Sequence, residues 1–202
     1  MEEPDWHGWH TGYDAPGSPL WRRLRVVRAA ISGVLDTGAR SVVSLCAGQG
    51  RDLLPVLADH PNGAGVRARL VELDERNVRL ARQSAPEGVE VVVADAALTD
   101  SYAGAVPADL VLACGVFGNL TDDDVRRTIG CLPMLCAPGA AVIWTRHRRE
   151  PDLGPQVCSW FAEAGFGLEE LTQEDFTVGV HRYTGPPRPL EPGTRMFTFT
   201  GP

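Results

Sequence analysis

Four short stretches place residue types suited to holding a nucleoside in one order along the chain. Ala47-Gly48-Gln49-Gly50 follows an apolar run and is poor in side chains. Such a turn lets a ligand approach the backbone, and the helix after it offers unpaired N–H groups to a carboxylate or phosphate. Glu72 ends the next apolar run, 72 − 50 = 22 residues past Gly50, close to the spacing at which an acid meets the two hydroxyls of a ribose. Asp95-Ala96 closes a third run, where a carboxylate can accept from an exocyclic amine while a small neighbour leaves room for a ring. Residues 113–119, Ala113-Cys114-Gly115-Val116-Phe117-Gly118-Asn119, follow a fourth run and are mostly small. Each stretch also has a plainer reading: Glu72 as a strand-end residue, Asp95 as a turn residue, 113–119 as a simple turn. Asp74 is read as a helix N-cap.

These residues need elements to position them. Ser18-Pro19 is an N-cap followed by proline at a first helical position, and Leu20, Leu24, Val27, Ile31 and Val34 then recur at helical spacing, with Arg22, Arg23, Arg25 and Arg28 mostly pointing elsewhere. SVVSLC predicts a strand, and GRDLLPVLAD a helix starting near Gly50 with Pro55 in its early turns. VRARLVEL predicts the second strand and ERNVRLARQ the helix after it; strands follow at 89–96 and within 108–120. A helix over 121–135 opens on TDDD, whose acids suit a helix N-terminus; Pro138-Gly139 turns into a fifth strand, AAVIWTRH, and a further helix covers roughly 153–164. LEELTQEDF, TVGVHRYTG and RMFTFTG read as strand material, with the proline-rich GPPRPLEPG between the last two. Apolar strands alternating with helices indicate a parallel sheet covered on both faces, here with an antiparallel edge.

With 202 residues and 44% hydrophobic content, one domain is expected. A net charge of −7 and a sequence pI near 5.2 disfavour nucleic acid and anionic membranes as partners. All 19 basic residues are arginine, which excludes a lysine Schiff base and a phosphate loop of the GK[ST] type. The opening MEEPDWHGWH has no basic or apolar leader region, and no apolar run approaches the ~20 residues of a membrane span, so a cytoplasmic protein is expected. The five scattered cysteines read as free, buried thiols, and without a CxxC or HxxxH pair no metal site is expected.

The succession SLCAGQGRD, LVELDERNV, VVVADA and ADLVLACGVFGN resembles the ordered motifs of class I S-adenosylmethionine-dependent methyltransferases, over about residues 40–147. The resemblance implies a Rossmann-like α/β fold: a seven-stranded, mostly parallel sheet with an antiparallel last strand and helices on both faces. Residues 40–202 would form this core, and 1–36 a lid segment and helix. It implies that Ala47, Gly48, Gln49 and Gly50 lie beside the methionine part of the cofactor and that Glu72 holds the ribose hydroxyls, with Leu73 also among the cofactor-binding residues. Asp95 and Ala96 would flank adenine, and Cys114 and Gly115 would line the sulfonium region. Ser44 stands where the family usually has an acid, and Cys46 and Ala47 where a glycine and a small residue are common. The cofactor's amino group is then met from elsewhere, by Asp52 or by the N-terminal segment.

Methyl transfer from a sulfonium depends on positioning the acceptor, and needs a base only where that acceptor is protonated. His147, at the carboxyl end of the fifth strand, is the candidate catalytic residue; Tyr13, Arg146 and His181 are candidates for substrate contact, ahead of His7 and His10. Arg146, Arg148 and Arg149 either receive an acidic acceptor or are solvated surface charges. Trp6, Trp9 and Tyr13 form either a lid or an aromatic cluster packed on the domain. The partner expected is a small-molecule acceptor, with no nucleic acid and no membrane, for a monomer or homodimer. Two other readings are a non-catalytic adenosylmethionine-binding module and a nicotinamide-dependent oxidoreductase; the GxGxxG fingerprint of the latter is incomplete, since Leu53 occupies its third glycine position.

Overall fold

The computed structural model describes residues 13–200; Trp6, His7, Trp9 and His10 lie outside that range. Ser18 and Pro19 start the first helix, α1 (Pro19–Asp36). The Ser18 hydroxyl accepts from the Trp21 N–H at 3.1 Å, and proline occupies a position whose N–H has no intrahelical partner. Leu24, Val27, Ile31 and Val34 are buried as their spacing requires. Arg23 departs from the expectation that the arginines point outward. It is 4% exposed, hydrogen-bonded to the Tyr13 hydroxyl, with its guanidinium over the rings of Tyr13 and Phe176 at 5.2 and 5.6 Å.

The strands are β1 (Ser41–Ser44), β2 (Arg67–Glu72), β3 (Val89–Val93), β4 (Ala108–Ala113), β5 (Cys136–His147), β6 (Phe166–Gln173) and β7 (Phe176–Tyr183). Between them run α2 (Leu54–Asp59), α3 (Glu75–Ser84), α4 (Asp122–Cys131) and α5 (Gly154–Glu163). One seven-stranded sheet has the order β3-β2-β1-β4-β5-β7-β6, in which β1 to β5 are parallel and β7 runs antiparallel to both of its neighbours. This is the Rossmann-like sheet anticipated above. Alternating side chains of each strand enter two cores. Val42, Leu110, Leu112 and Ile143 pack with Val27, Ile31, Leu54 and Val78 on one face. Val43, Val111, Val142 and Trp144 pack with Val125, Ile129, Val157 and Phe161 on the other.

Several boundaries differ from the sequence reading. After Gly50 the chain makes turns over 51–53, and α2 begins only at Leu54, with Pro55 in its first turn. The helix expected over 121–135 is α4 followed by a 3₁₀ turn at Leu132–Met134. Pro138-Gly139 lies inside β5, where the pairing with β4 shifts between Ala108 and Leu110. Of RMFTFTG, the described residues 195–200 form no regular strand. They make a single bridge, Arg195 to Leu98, then a strap in which Met196 N–H donates to the Ala97 carbonyl at 2.8 Å and Thr200 N–H to the Asn119 carbonyl at 3.2 Å. All five cysteines are free, with Cys114 and Cys136 buried. Among the described residues no helix is long and apolar enough to cross a membrane.

Candidate functional site

The carboxyl ends of β1, β2, β3 and β4 lie side by side, and the loops leaving them carry the residues singled out in the sequence. The chain leaves β1 through Cys46 (φ 48°), Gly48 (φ 55°) and Gly50 (φ 71°), all left-handed, a conformation that costs glycine little and Cys46 more. The turn is pinned to β2: Ala47 N–H donates to the Val71 carbonyl at 2.9 Å and Gly48 N–H to Glu72 Oε2 at 2.7 Å. Glu72 Oε1 accepts from Asp74 N–H at 2.9 Å. Each oxygen of this carboxylate, 9% exposed, accepts one of these amides. Burial pushes the Glu72 carboxyl up from its ordinary range, while the amides of Asp74, Gly48 and Leu73 hold it down. A carboxylate fixed in this way at a strand end suits a vicinal diol.

Gly50 shows how closely the turn is packed. A Cβ there would lie 2.5 Å from Leu54 Cδ1 and 2.8 Å from Leu54 Cγ. Gly50→Ala is therefore expected to destabilise the protein by about 1–2 kcal/mol from the left-handed backbone alone, with displacement of Leu54 in addition. Urea unfolding measures this, and an unchanged midpoint would mean that the turn has another conformation.

Asp95 comes to the same edge, just past β3. Its Oδ1 accepts from Ala97 N–H at 2.9 Å and its Oδ2 pairs with Arg195 at 3.0 Å. Ala96 is buried, and its carbonyl takes the Tyr102 hydroxyl at 2.8 Å. The Cys46 thiol is pushed up by burial and by the charges of Glu72 and Asp95 on either side. Leu73 is 68% exposed beside Glu72. Gln49 is committed elsewhere: its amide donates to Asn77 Oδ1 at 3.2 Å and its carbonyl accepts from Arg51 Nε at 3.0 Å. Asp52 makes no hydrogen bond among the described residues. Burial raises its carboxyl, against the lowering charges of Arg23 and Arg28.

Beyond β4, Gly115 (φ 77°) donates its N–H to Thr145 Oγ1 at 2.8 Å, and Cys114 is buried against the Ile143 carbonyl. Gly115 borders a cavity of about 550 Å³ between the start of α1, the loop after β4, the end of β5 and the start of β7. His147 lines it. Its Nδ1 accepts from Arg149 N–H at 3.3 Å, and a Cβ on Gly118 would lie 3.1 Å from its Cδ2, so glycine leaves the ring its place. Burial and the charges of Arg146 and Arg149 hold the imidazole below its ordinary basicity. Arg146 also lines the cavity; it is 8% exposed, donates to the Phe117 carbonyl and stands 3.7 Å from Asp122. Tyr13 is buried between Arg23 of the cavity and Arg51 of the glycine turn, with burial pushing its phenol up.

His181 is not at this site. It is 1% exposed in an aromatic cluster, stacked on Phe161 at 4.2 Å and accepting from Trp144 Nε1 at 3.1 Å. The reversal of β7 is the cause. Phe176 pairs with His147 at the site edge, so a residue five positions on lies roughly 16 Å away along the strand. The sequence reading missed Arg23, although its place four residues before Val27 on the buried stripe was a usable signal. Arg195 and Phe176 carried none, since each meets its partner only through long-range folding.

No family model and no curated protein matches the chain by sequence. In three dimensions the chain is similar to an O-methyltransferase family protein from Burkholderia thailandensis, with TM-score 0.67 and 20% identity. That match covers 81% of this chain and 56% of the other, so the chain spans just over half of that protein's length. It is similar to the magnesium protoporphyrin IX methyltransferase of Synechocystis PCC 6803 with bound SAH, at TM-score 0.67 and 13% identity over 89% of this chain and 94% of that one. The 1,6-didemethyltoxoflavin-N1-methyltransferase of Burkholderia thailandensis, with bound 1,6-didemethyltoxoflavin and S-adenosylhomocysteine, gives TM-score 0.64 and 18% identity over 89% and 87% of the two chains.

Proposed function

Given that the chain has the fold of class I S-adenosylmethionine-dependent methyltransferases, we propose that it binds S-adenosylmethionine across the ends of β1 to β4 and methylates a small molecule in the cavity beside Gly115. The observation that carries this reading is Glu72, a buried carboxylate at the end of β2 clasped to the glycine turn after β1.

The residues present fit the cofactor. Glu72 accepts the ribose hydroxyls, and exposed Leu73 offers an apolar surface to the adenine. Asp95 and Ala96 flank that ring, with Arg195 fixing the carboxylate. Asp52, which has no hydrogen bond among the described residues and lies close to the turn, suits the amino group; Ala47 to Gly50 give the backbone clearance and Cys114 and Gly115 line the sulfonium end. When bound, S-adenosylmethionine supplies an electrophilic methyl group on a sulfonium. The chain's task is then to hold the acceptor in line, which is a matter of positioning. Held below its ordinary basicity, with Nδ1 accepting from the Arg149 N–H, His147 is placed to orient the acceptor. The net charge of −7 favours a small acceptor over nucleic acid. The nicotinamide reading loses ground, because β7 is antiparallel and lies between β5 and β6, unlike the parallel 3-2-1-4-5-6 dinucleotide sheet.

Calorimetry with S-adenosylmethionine and S-adenosylhomocysteine, followed by transfer from labelled donor to a panel of small acceptors, tests the proposal. Binding of both with transfer to none would favour a non-catalytic binder. His147→Ala should lower kcat about tenfold, or about 1.4 kcal/mol, with S-adenosylhomocysteine affinity kept. An equal loss in cofactor affinity would move His147 to the cofactor side.

A further inference from the structure

The cavity beside Gly115 has a wall of cations that methyl transfer itself does not require. Arg146, Arg148 and Arg149 leave the end of β5 around His147, and Arg23 approaches from α1. The acids nearby are largely committed. Asp175, the one acid among the described lining residues, pairs with Arg22, and Asp152 pairs with Arg148 at 2.9 Å. Exposed Arg149 makes no ion pair among the described residues, and Arg146 has only Asp122, at 3.7 Å. Arg146 is more than nine-tenths buried at the edge of the cavity, where charge-assisted hydrogen bonds from a guanidinium hold an anion well. The lining also holds apolar Pro19, Leu20 and Phe176. In a protein of net charge −7, such a concentration of arginine around one cavity attracts anions locally.

Resting on the methyltransferase reading for the word acceptor, we propose that the acceptor is a small oxyacid, a carboxylate or a phosphate. Its anionic group is held by Arg146 and Arg149, and its apolar body lies against Leu20 and Phe176. The volume of about 550 Å³ is that of a small-molecule site.

Ligand-detected NMR on the full chain, with and without S-adenosylhomocysteine, can compare benzoate and phenyl phosphate with uncharged benzamide. At least one anion is expected to bind about tenfold tighter than benzamide, and whichever is preferred assigns the head group. Arg149→Ala, at an exposed position, should remove most of that preference while leaving benzamide and S-adenosylhomocysteine affinities unchanged; Arg146→Met should do the same provided its unfolding midpoint is retained. Benzamide binding as tightly as both anions, or an anion preference untouched by Arg149→Ala, would overturn the proposal. Failure of the methyltransferase reading is separately visible, as absent calorimetric binding of S-adenosylhomocysteine with the anion preference intact.

Discussion

Glu72→Ala should weaken binding of S-adenosylmethionine and S-adenosylhomocysteine by about 2–3 kcal/mol, roughly 30- to 150-fold. Two ligand hydroxyls lose a charged acceptor, and the amides of Gly48 and Asp74, now at 2.7 and 2.9 Å from Glu72, lose theirs as well. The turn would then have to be ordered by the ligand rather than beforehand. Glu72→Gln should recover only part of the affinity, because a carboxamide has one acceptor oxygen and its NH₂ would face one of those N–H groups. Calorimetry reads the affinity, and an unfolding curve for each variant separates ligand loss from general destabilisation. Full affinity in Glu72→Ala would place the ribose elsewhere.

The second large effect is on stability in mild acid. His181 is buried and neutral, with burial pushing its basicity down to about 4 from an ordinary 6.5. Above pH 6.5 the ring is neutral folded and unfolded, and its packing against Phe161 and Trp144 contributes fully. Between pH 6.5 and about 4 the unfolded chain takes up a proton that the folded chain does not, so stability falls by about 1.4 kcal/mol per pH unit, to a total of about 3 kcal/mol. Below the folded value the loss levels off. Urea unfolding at pH 7.5 and pH 5 should therefore show about 2 kcal/mol more acid destabilisation in the parent than in His181→Phe. The variant deprives Trp144 Nε1 of its acceptor, but that cost is independent of pH and cancels in the comparison. Equal acid sensitivity in the two proteins would mean that the imidazole is solvated.

Glu72, Gly48 and Asp95 could be read together from the sequence because each ends or closely follows a strand, and in a parallel sheet all strand ends of one sense meet at one edge. His181 was named from its place in the final strand region alone, and β7, antiparallel as that edge was expected to be, carries it away from the site. Ser18, Asp74 and Thr121 were legible as helix starts because capping is local chemistry; their side chains accept from Trp21, Arg76 and Asp124 N–H groups respectively. The pairing of Arg195 with Asp95 was not legible, since a hundred residues separate them and no periodicity marks an irregular strap. Arg23 was grouped with the arginines pointing mostly away from the apolar face of the helix; an arginine can bury its length when rings and a phenol receive it.

The strap also constrains how this chain can vary. Thr194 exchanges hydrogen bonds with Thr99, Arg195 meets Asp95, Met196 and Phe197 are 0% and 1% exposed, and Thr198 N–H reaches Asp124 Oδ2. Sliding the tail by one residue would draw Arg195 into the hydrophobic interior and push a buried neighbour out, so its alignment admits no slippage. Exposed Pro187, Arg188 and Pro189, further back, make no hydrogen bond among the described residues, and lengthening the loop there costs little. Insertions are thus tolerable ahead of residue 190 and ruinous within 194–198, where a single added residue would detach Asp95 from its arginine.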